Sequence, residues 1–388
     1  MKALESVVAF ARFELTRKDR NRASQLLLEQ QNWQHWIDQI ELHGLSGFAY
    51  QHTLNYQLPV PDQVVDLLEQ LKSRHTKASQ MRHRALGEIV LKFGEQNISF
   101  LALKGLALAV DLYEFEYLRP MRDMDLLVKR ADRQCAGQAL VDLGYSLPDY
   151  HPSRFMGSMH QLPNAMKKID GLTSSVEVHH DGISREVSGH FFYPDQVDGL
   201  RKLDWQGLRF DSLENVTMLH QVASHLEGLH SGAILKLINV MDVVGLARKL
   251  VNRHDWKRVE REYPHVINTL KCLHLWTPLP QELLSLTGNS PKKELKGVGQ
   301  IMSSLRAGVN APSIKEKFRL LFLPSDWWLH LHYHVDPSNR LVTTKLLRHP
   351  FKVISWFFDR VMSFISYIIF QGSARINKSP SAKVFRND

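Results

Sequence analysis

The chain runs to 388 residues, 44% of them hydrophobic, with a formal net charge of +9 and a pI near 9.4, which suits two or three globular units and excludes a disordered, highly charged chain. Eight Lys or Arg stand against two Asp from Lys345 to Asp388, so six of the nine surplus charges sit in that stretch; the near-balanced remainder speaks against a nucleic-acid groove spread over the body. Only Cys135 and Cys272 occur, without CxxC or Cys/His ligand spacing, so neither a disulfide framework nor a structural zinc site is expected.

The opening stretch MKALESVVAFARFELTRKDR is interrupted by Glu5 and Arg12, leaving no signal-peptide apolar core and making a cytoplasmic location the expectation. Trp33, Trp36, Ile37 and Ile40 then recur at helical spacing, as do the apolar residues of GLSGFAYQHTL and VVDLLEQLKSRHTKASQMRHRALGEIVLKFG. Pro59 and Pro61 divide two of these helices, and residues 1–91 are predicted to form a helical lid or support. The texture changes at ISFLAL, a short β-rich run stopped by Lys104 and Gly105, after which LALAVDLYEF has helix-forming composition. DMDLLV is strand-like again, and RADRQCAGQALVDLGY places Ala136, Ala139, Leu140 and Leu143 on one helical face ending at Gly144. Asp170-Gly171 lies between two further strand candidates as a hairpin turn. Residues 92–205 therefore read as a compact α/β core within an α+β protein. From Asp211, with Glu214 as its capping partner, the pattern returns to helix, giving a second helical region over 206–292. Residues 293–388 read as a linker and a basic amphipathic tail.

Asp123 and Asp125 flank Met124. In a strand, residues two apart point to the same side, so the two carboxylates would project together while Met124 faces the core. Oxygen ligands in such a pair suit magnesium, and two such ions serve phosphoryl chemistry; Glu177 in SSVEVHH, on the second strand of the hairpin, is the candidate third carboxylate. Lys104 and Gly105 sit where a strand hands over to a helix, a place that favours an anion, and Arg119 and Arg122 could neutralise a polyphosphate. His179 shares the face of Glu177 and is a candidate substrate contact, whereas His160 and His180 read as structural or solvated.

The run LALKGLALAVDLYEFEYLRPMRDMDLLVKRADRQCAGQALVDLGYS, with the later SSVEVHH, resembles the uncharacterised nucleotidyltransferase family related to DNA polymerase beta, in which a KG turn precedes an R-x-x-D-x-D strand and a downstream E-h-H strand. The helical segments NWQHWIDQIELHGL and LHQVASHLEGLHSGAILKLINVMDVVGLARKLVNRHDWKRV extend the likeness over roughly Trp33 to Val259. The resemblance implies a mixed-sheet core flanked by N- and C-terminal helical regions, and transfer of a nucleoside monophosphate from an NTP with two magnesium ions. By position it assigns Asp123 and Asp125 to the metal-binding pair, Glu177 to the third acid, and Lys104 and Gly105 to the phosphate turn. The broader superfamily has Gly or Ser after the turn glycine; here Leu106 supplies no hydroxyl, and Lys104 with Arg122 would substitute. His220, His225, Lys236 and Asp242 read as a polar network between helices first, and as nucleobase or acceptor contacts second.

In the tail, HPFKVISWFFDRVMSFISYIIFQ carries one polar stripe and a broad apolar face, but Asp359 and Arg360 near its middle disfavour a membrane span. Residues 345–388 are expected to meet an anionic membrane surface, with WWLHLHYH upstream as interfacial aromatics, or to pack on the body or on a second copy. His330 and His334 share a helix face but have no acidic or thiol partner in sequence for a metal. The acceptor could be a glycan of the envelope or of a polysaccharide, a lipid-linked compound, a protein or an RNA. The rivals to a metal-dependent nucleotidyltransferase are a non-catalytic nucleotide- or membrane-binding scaffold and a toxin-like transferase acting on protein or tRNA.

Overall fold

A computed structural model describes residues 2–148, 161–180, 199–228, 235–250, 253–274, 279–287, 314–358, 361–362 and 365. The chain divides into two compact units, one of residues 1–148 with 160–341 and one of residues 149–159 with 342–388.

The first unit opens with five helices, α1 (Lys2–Ala9), α2 (Arg17–Leu28), α3 (Trp33–Leu42), α4 (Ser46–Tyr56) and α5 (Asp62–Glu95). Thr16 and Asp19 form a reciprocal capping box that starts α2. Helix α5 buries Leu68, Ala85, Leu86, Ile89 and Phe93 at helical spacing, so its inner stripe continues the core.

A six-stranded mixed sheet follows, with strands β1 (Phe100–Ala102), β2 (Met124–Val128), β3 (Ala165–Ile169), β4 (Leu172–His179), β5 (Leu200–Trp205) and β6 (Leu208–Leu213) in the order β3-β4-β2-β1-β6-β5. Every residue of β2 is buried, as its near-continuous apolar run requires of a strand inside a sheet. β2 lies antiparallel to β1 and parallel to β4, and Asp170 (φ 51°) and Gly171 (φ 78°) close the β3–β4 hairpin with two left-handed residues, as a primed turn demands. Helices α6 (Lys104–Asp111) and α7 (Arg133–Asp142) follow β1 and β2. The expected return to helix at Asp211 is corrected: Asp211 lies within β6, and the cap is Glu214, whose carboxylate accepts from the backbone N–H groups of Val216 and Thr217. The alternating burial of LRFDSL keeps this stretch extended until the cap is reached.

The remaining helices are α8 (Asn215–Glu227), α9 (Leu237–Lys249), α10 (Arg253–Glu262), α11 (Pro264–His274), α12 (Gln281–Thr287), α13 (Ile314–Phe322) and α14 (Asp326–His332). The aromatics of WWLHLHYH are not offered to an interface. Trp327 and Tyr333 are buried, and the Trp327 indole N–H donates to the Cys272 carbonyl at 2.9 Å, so this segment packs on α11. Of the expected linker and tail over 293–388, residues 293–313, 359–360, 363–364 and 366–388 lie outside the described residues, as does His160.

In the second unit, residues 342–358 are helical, with a π-helical turn at Thr344–Arg348. Among the described residues, no helix is long and apolar enough to cross a membrane.

Candidate active site

Parallel pairing of β2 with β4 sets Asp125 directly opposite Glu177 and Leu127 opposite His179. With side chains alternating along each strand, Asp125, Glu177 and His179 share one face of the sheet. Asp123, one residue before β2, is half-buried beside them. The Asp125 carboxylate is buried, and its Oδ1 accepts from Lys104 Nζ at 2.8 Å and from His179 Nε2 at 2.7 Å. Burial alone would raise its pKa; Lys104 and His179 outweigh that and hold it well below the usual carboxylate range. Glu177 is fixed by Asn164, whose amide donates to Oε1 at 2.8 Å, and by Gln161, which donates to Oε2 at 3.3 Å. Asp123 goes the other way. Burial and the neighbouring charges of Asp125 and Glu177 raise its pKa, the mark of carboxylates crowded without enough positive charge.

Lys104 reaches Asp125 from the first residue of α6, where the backbone adopts φ 40°, a left-handed conformation that costs a non-glycine residue about 1–3 kcal/mol. The left-handed residue of the KG pair is thus the lysine. Gly105 is buried against Arg119, and a Cβ there would meet its guanidinium only at the ordinary contact distance of 3.4 Å. Arg119 in turn is held by Asp242 of α9: Nε donates to Oδ1 at 2.9 Å and Nη2 to Oδ2 at 2.8 Å, while Tyr113 donates its hydroxyl to the same Oδ1 at 2.7 Å.

Lys104, Gly105, Arg119, Asp123, Asp125, Glu177 and Asp242 line a cleft of about 1040 Å³ together with Arg82 of α5, Arg122, His225 of α8 and Lys236, the residue just before α9. Lys104 and Arg119 face carboxylates, whereas Arg82, Arg122 and Lys236 lie within ion-pair distance of none among the described residues. Arg82 is 8% exposed, and its buried Nε has no hydrogen-bond partner. Lys236 has its pKa lowered by burial and then by the like charges of Arg122 and Arg119. His225 is open to the cleft yet walled by protein, and desolvation with Lys104 nearby lowers its pKa to about 4, leaving a neutral imidazole at neutral pH.

The family profile described as "Uncharacterised nucleotidyltransferase" matches residues 29–285, well over half of the chain and all of the cleft residues named above. The chain belongs to this nucleotidyltransferase family. No curated protein matches it. Among solved structures it is similar to the antibiotic-resistance factor ANT(2'')-Ia at 11% identity and a TM-score of 0.33, over 52% of this chain and 98% of that one. It is also similar to an antigenic nucleotidyltransferase-like protein from Paracoccidioides brasiliensis at 13% identity and a TM-score of 0.31, over 56% and 97%.

In this nucleotidyltransferase the structure brings Lys104, Asp125, Glu177 and His179 into one contact network and places Asp123 and Arg122 on the same cleft. Arg119 lies on the cleft wall with its guanidinium committed to Asp242. His220 belongs elsewhere, stacked on Tyr263 with ring centroids 4.1 Å apart. Sequence reasoning missed Arg82, Asn164 and Gln161. Arg82 sits in a helical pattern where an arginine reads as an exposed face, and nothing in the spacing marks it as turned inward.

Proposed function

We propose that this nucleotidyltransferase moves a nucleoside monophosphate from an NTP to a hydroxyl acceptor, with Asp123, Asp125 and Glu177 holding two magnesium ions. The observation that carries the proposal is the β2–β4 register, which sets Asp125 beside Glu177 on a cleft also lined by Arg82, Arg122 and Lys236. The donor set fits a hard dication: it is carboxylate oxygen, and the raised pKa of Asp123 is the repulsion that such an ion relieves. Bound there, magnesium would polarise the α-phosphate and neutralise charge on the leaving group.

The chain's own residues supply the rest. Lys104 keeps Asp125 ionised, and Arg82, Arg122 and Lys236 seat the triphosphate, whose negative charge also satisfies the orphaned Arg82 Nε. The acceptor oxygen attacks the α-phosphorus as its proton passes to Glu177. The bond between the α-phosphorus and the oxygen bridging to the β-phosphate breaks, and pyrophosphate leaves with that electron pair. Arg119, through Asp242, positions the turn carrying Arg122 and Asp123 rather than touching substrate.

Incubation with magnesium, each labelled NTP and a cell lysate should transfer label to an acceptor. Asp125→Asn and Glu177→Gln should each lower the rate at least about a hundredfold with circular dichroism unchanged; wild-type turnover in Asp125→Asn would overturn the mechanism. An intact set of three acids favours an enzyme over a binding scaffold, which has no use for a strained Lys104. The second unit adds an acceptor hint. Its helix exposes a broad apolar face and carries Lys345, Arg348 and Lys352, the chemistry of a helix lying on anionic lipid, and a membrane-held transferase suits a lipid-linked or envelope-glycan acceptor.

A further inference from the structure

Away from the cleft, three elements of the first unit converge on one buried carboxylate. Glu227, at the end of α8, is wholly inaccessible to solvent. His265 of α11 donates from Nδ1 to its Oε1 at 2.8 Å, and His334, two residues past α14, donates from Nε2 to its Oε2 at 3.0 Å. The three candidate ligand atoms lie within 4.8 Å of one another. None of these residues lines the cleft that holds Asp123, Asp125 and Glu177.

We propose that Glu227, His265 and His334 form a second metal site, which takes a zinc-type transition-metal dication and ties α14 to α8 and α11. Two imidazole nitrogens and one carboxylate oxygen suit zinc rather than magnesium, which prefers oxygen alone. Tetrahedral coordination at about 2.0–2.2 Å places ligand atoms ~3.3 Å apart, a few tenths of an ångström wider than the present hydrogen-bonded contacts. The surroundings are already those of ligating groups. The far nitrogen of His265, Nε2, lies 2.8 Å from His220 Nδ1, so His265 can bind a metal through Nδ1 while donating Nε2–H to a neighbour. Thr269 donates its hydroxyl to Glu227 Oε1, and His332 donates from Nδ1 to the Glu227 carbonyl at 2.8 Å. His334 adopts φ 54°, a left-handed residue that ends α14 and turns its ring back onto Glu227. A dication would neutralise this wholly buried carboxylate. The His334 side chain is 30% exposed, so an ion could reach the site from solvent. The ligands come from helices far apart in sequence, so the ion would act as a tertiary cross-link rather than as a finger-type site.

Purified full-length chain, stripped with chelator, would be titrated with zinc and with cobalt(II), reading stoichiometry by calorimetry, the visible ligand-field bands of cobalt, and the melting temperature. One equivalent per chain, tetrahedral cobalt bands and a rise in melting temperature are expected. The tetrahedral cobalt bands and the rise in melting temperature should persist in Asp125→Asn/Glu177→Gln, which removes the acidic ligands of the cleft and so separates this site from it. His334→Ala, a change at a partly exposed position that leaves the fold intact, and His265→Ala should each weaken binding more than tenfold. Absence of binding at micromolar zinc, equal binding in both histidine variants, or loss only in the cleft variant would overturn the proposal, whatever becomes of the nucleotidyltransfer mechanism.

Discussion

Arg119 and Asp242 are joined by two parallel hydrogen bonds, with side chains only 10% and 5% exposed, at the point where the chain turns from α6 toward β2. A buried pair of this kind adds little net stability over an apolar replacement, but breaking it leaves one charge stranded. Asp242→Asn is therefore expected to lower unfolding free energy by about 3–5 kcal/mol, measured by urea denaturation, and Arg119→Met/Asp242→Leu should recover much of that loss. A loss below about 1 kcal/mol in Asp242→Asn would show that the pair is solvated. Arg82, Arg122 and Lys236 differ from Arg119: they line the cleft with no carboxylate within ion-pair distance among the described residues.

Between elements, the site depends on a close approach that one small residue permits. Helix α4 packs on the 3-10 turn Glu116–Leu118 so closely that a Cβ on Gly47 would fall 2.4 Å from the Tyr117 carbonyl oxygen and 3.0 Å from its carbon. Backbone cannot swing aside as a side-chain tip can, so Gly47→Ala should cost about 1–3 kcal/mol or push the turn outward. Because that turn leads directly to Arg119, Arg122 and Asp123, nucleotidyl transfer should fall more than stability alone predicts at a temperature where the variant remains folded. Full activity with full stability in Gly47→Ala would remove this coupling. The N-terminal helices also shape the cleft, since α5 supplies Arg82 to its lining.

Across the whole molecule, charge and exposed apolar surface gather in the same stretch. Leu346, Leu347, Phe351, Ile354, Phe357 and Phe358 are each more than 60% exposed, and at 100° per residue they cover an arc of about 140° on one helix. With the surplus of basic residues from Lys345 onward, the full chain should sediment with vesicles containing anionic lipid. It should leave neutral vesicles in high salt, and Phe351→Asp/Phe358→Asp should bind at least about tenfold more weakly. Equal recovery with and without anionic vesicles would discard the lipid reading.

By itself, the sequence determined strands β1 to β4, the primed turn at Asp170-Gly171 and the pairing of Asp123 with Asp125, because strand alternation and turn chemistry are local and leave a periodic trace, but it left β5 and β6 unread. It also pointed to Glu177, first as the candidate third carboxylate on the second strand of the hairpin and then by position in the resemblance to a family. Tertiary structure alone decided that Lys104 and His179 both bond Asp125, that Arg119 belongs to Asp242, and that Arg82 turns inward. The same holds for the histidine expected to lack an acidic neighbour: His334 meets Glu227 across 107 positions of chain, and His265 joins them across 38. Such contacts are fixed by how helices and strands pack, and no local pattern of residues encodes which distant side chain a buried charge will find.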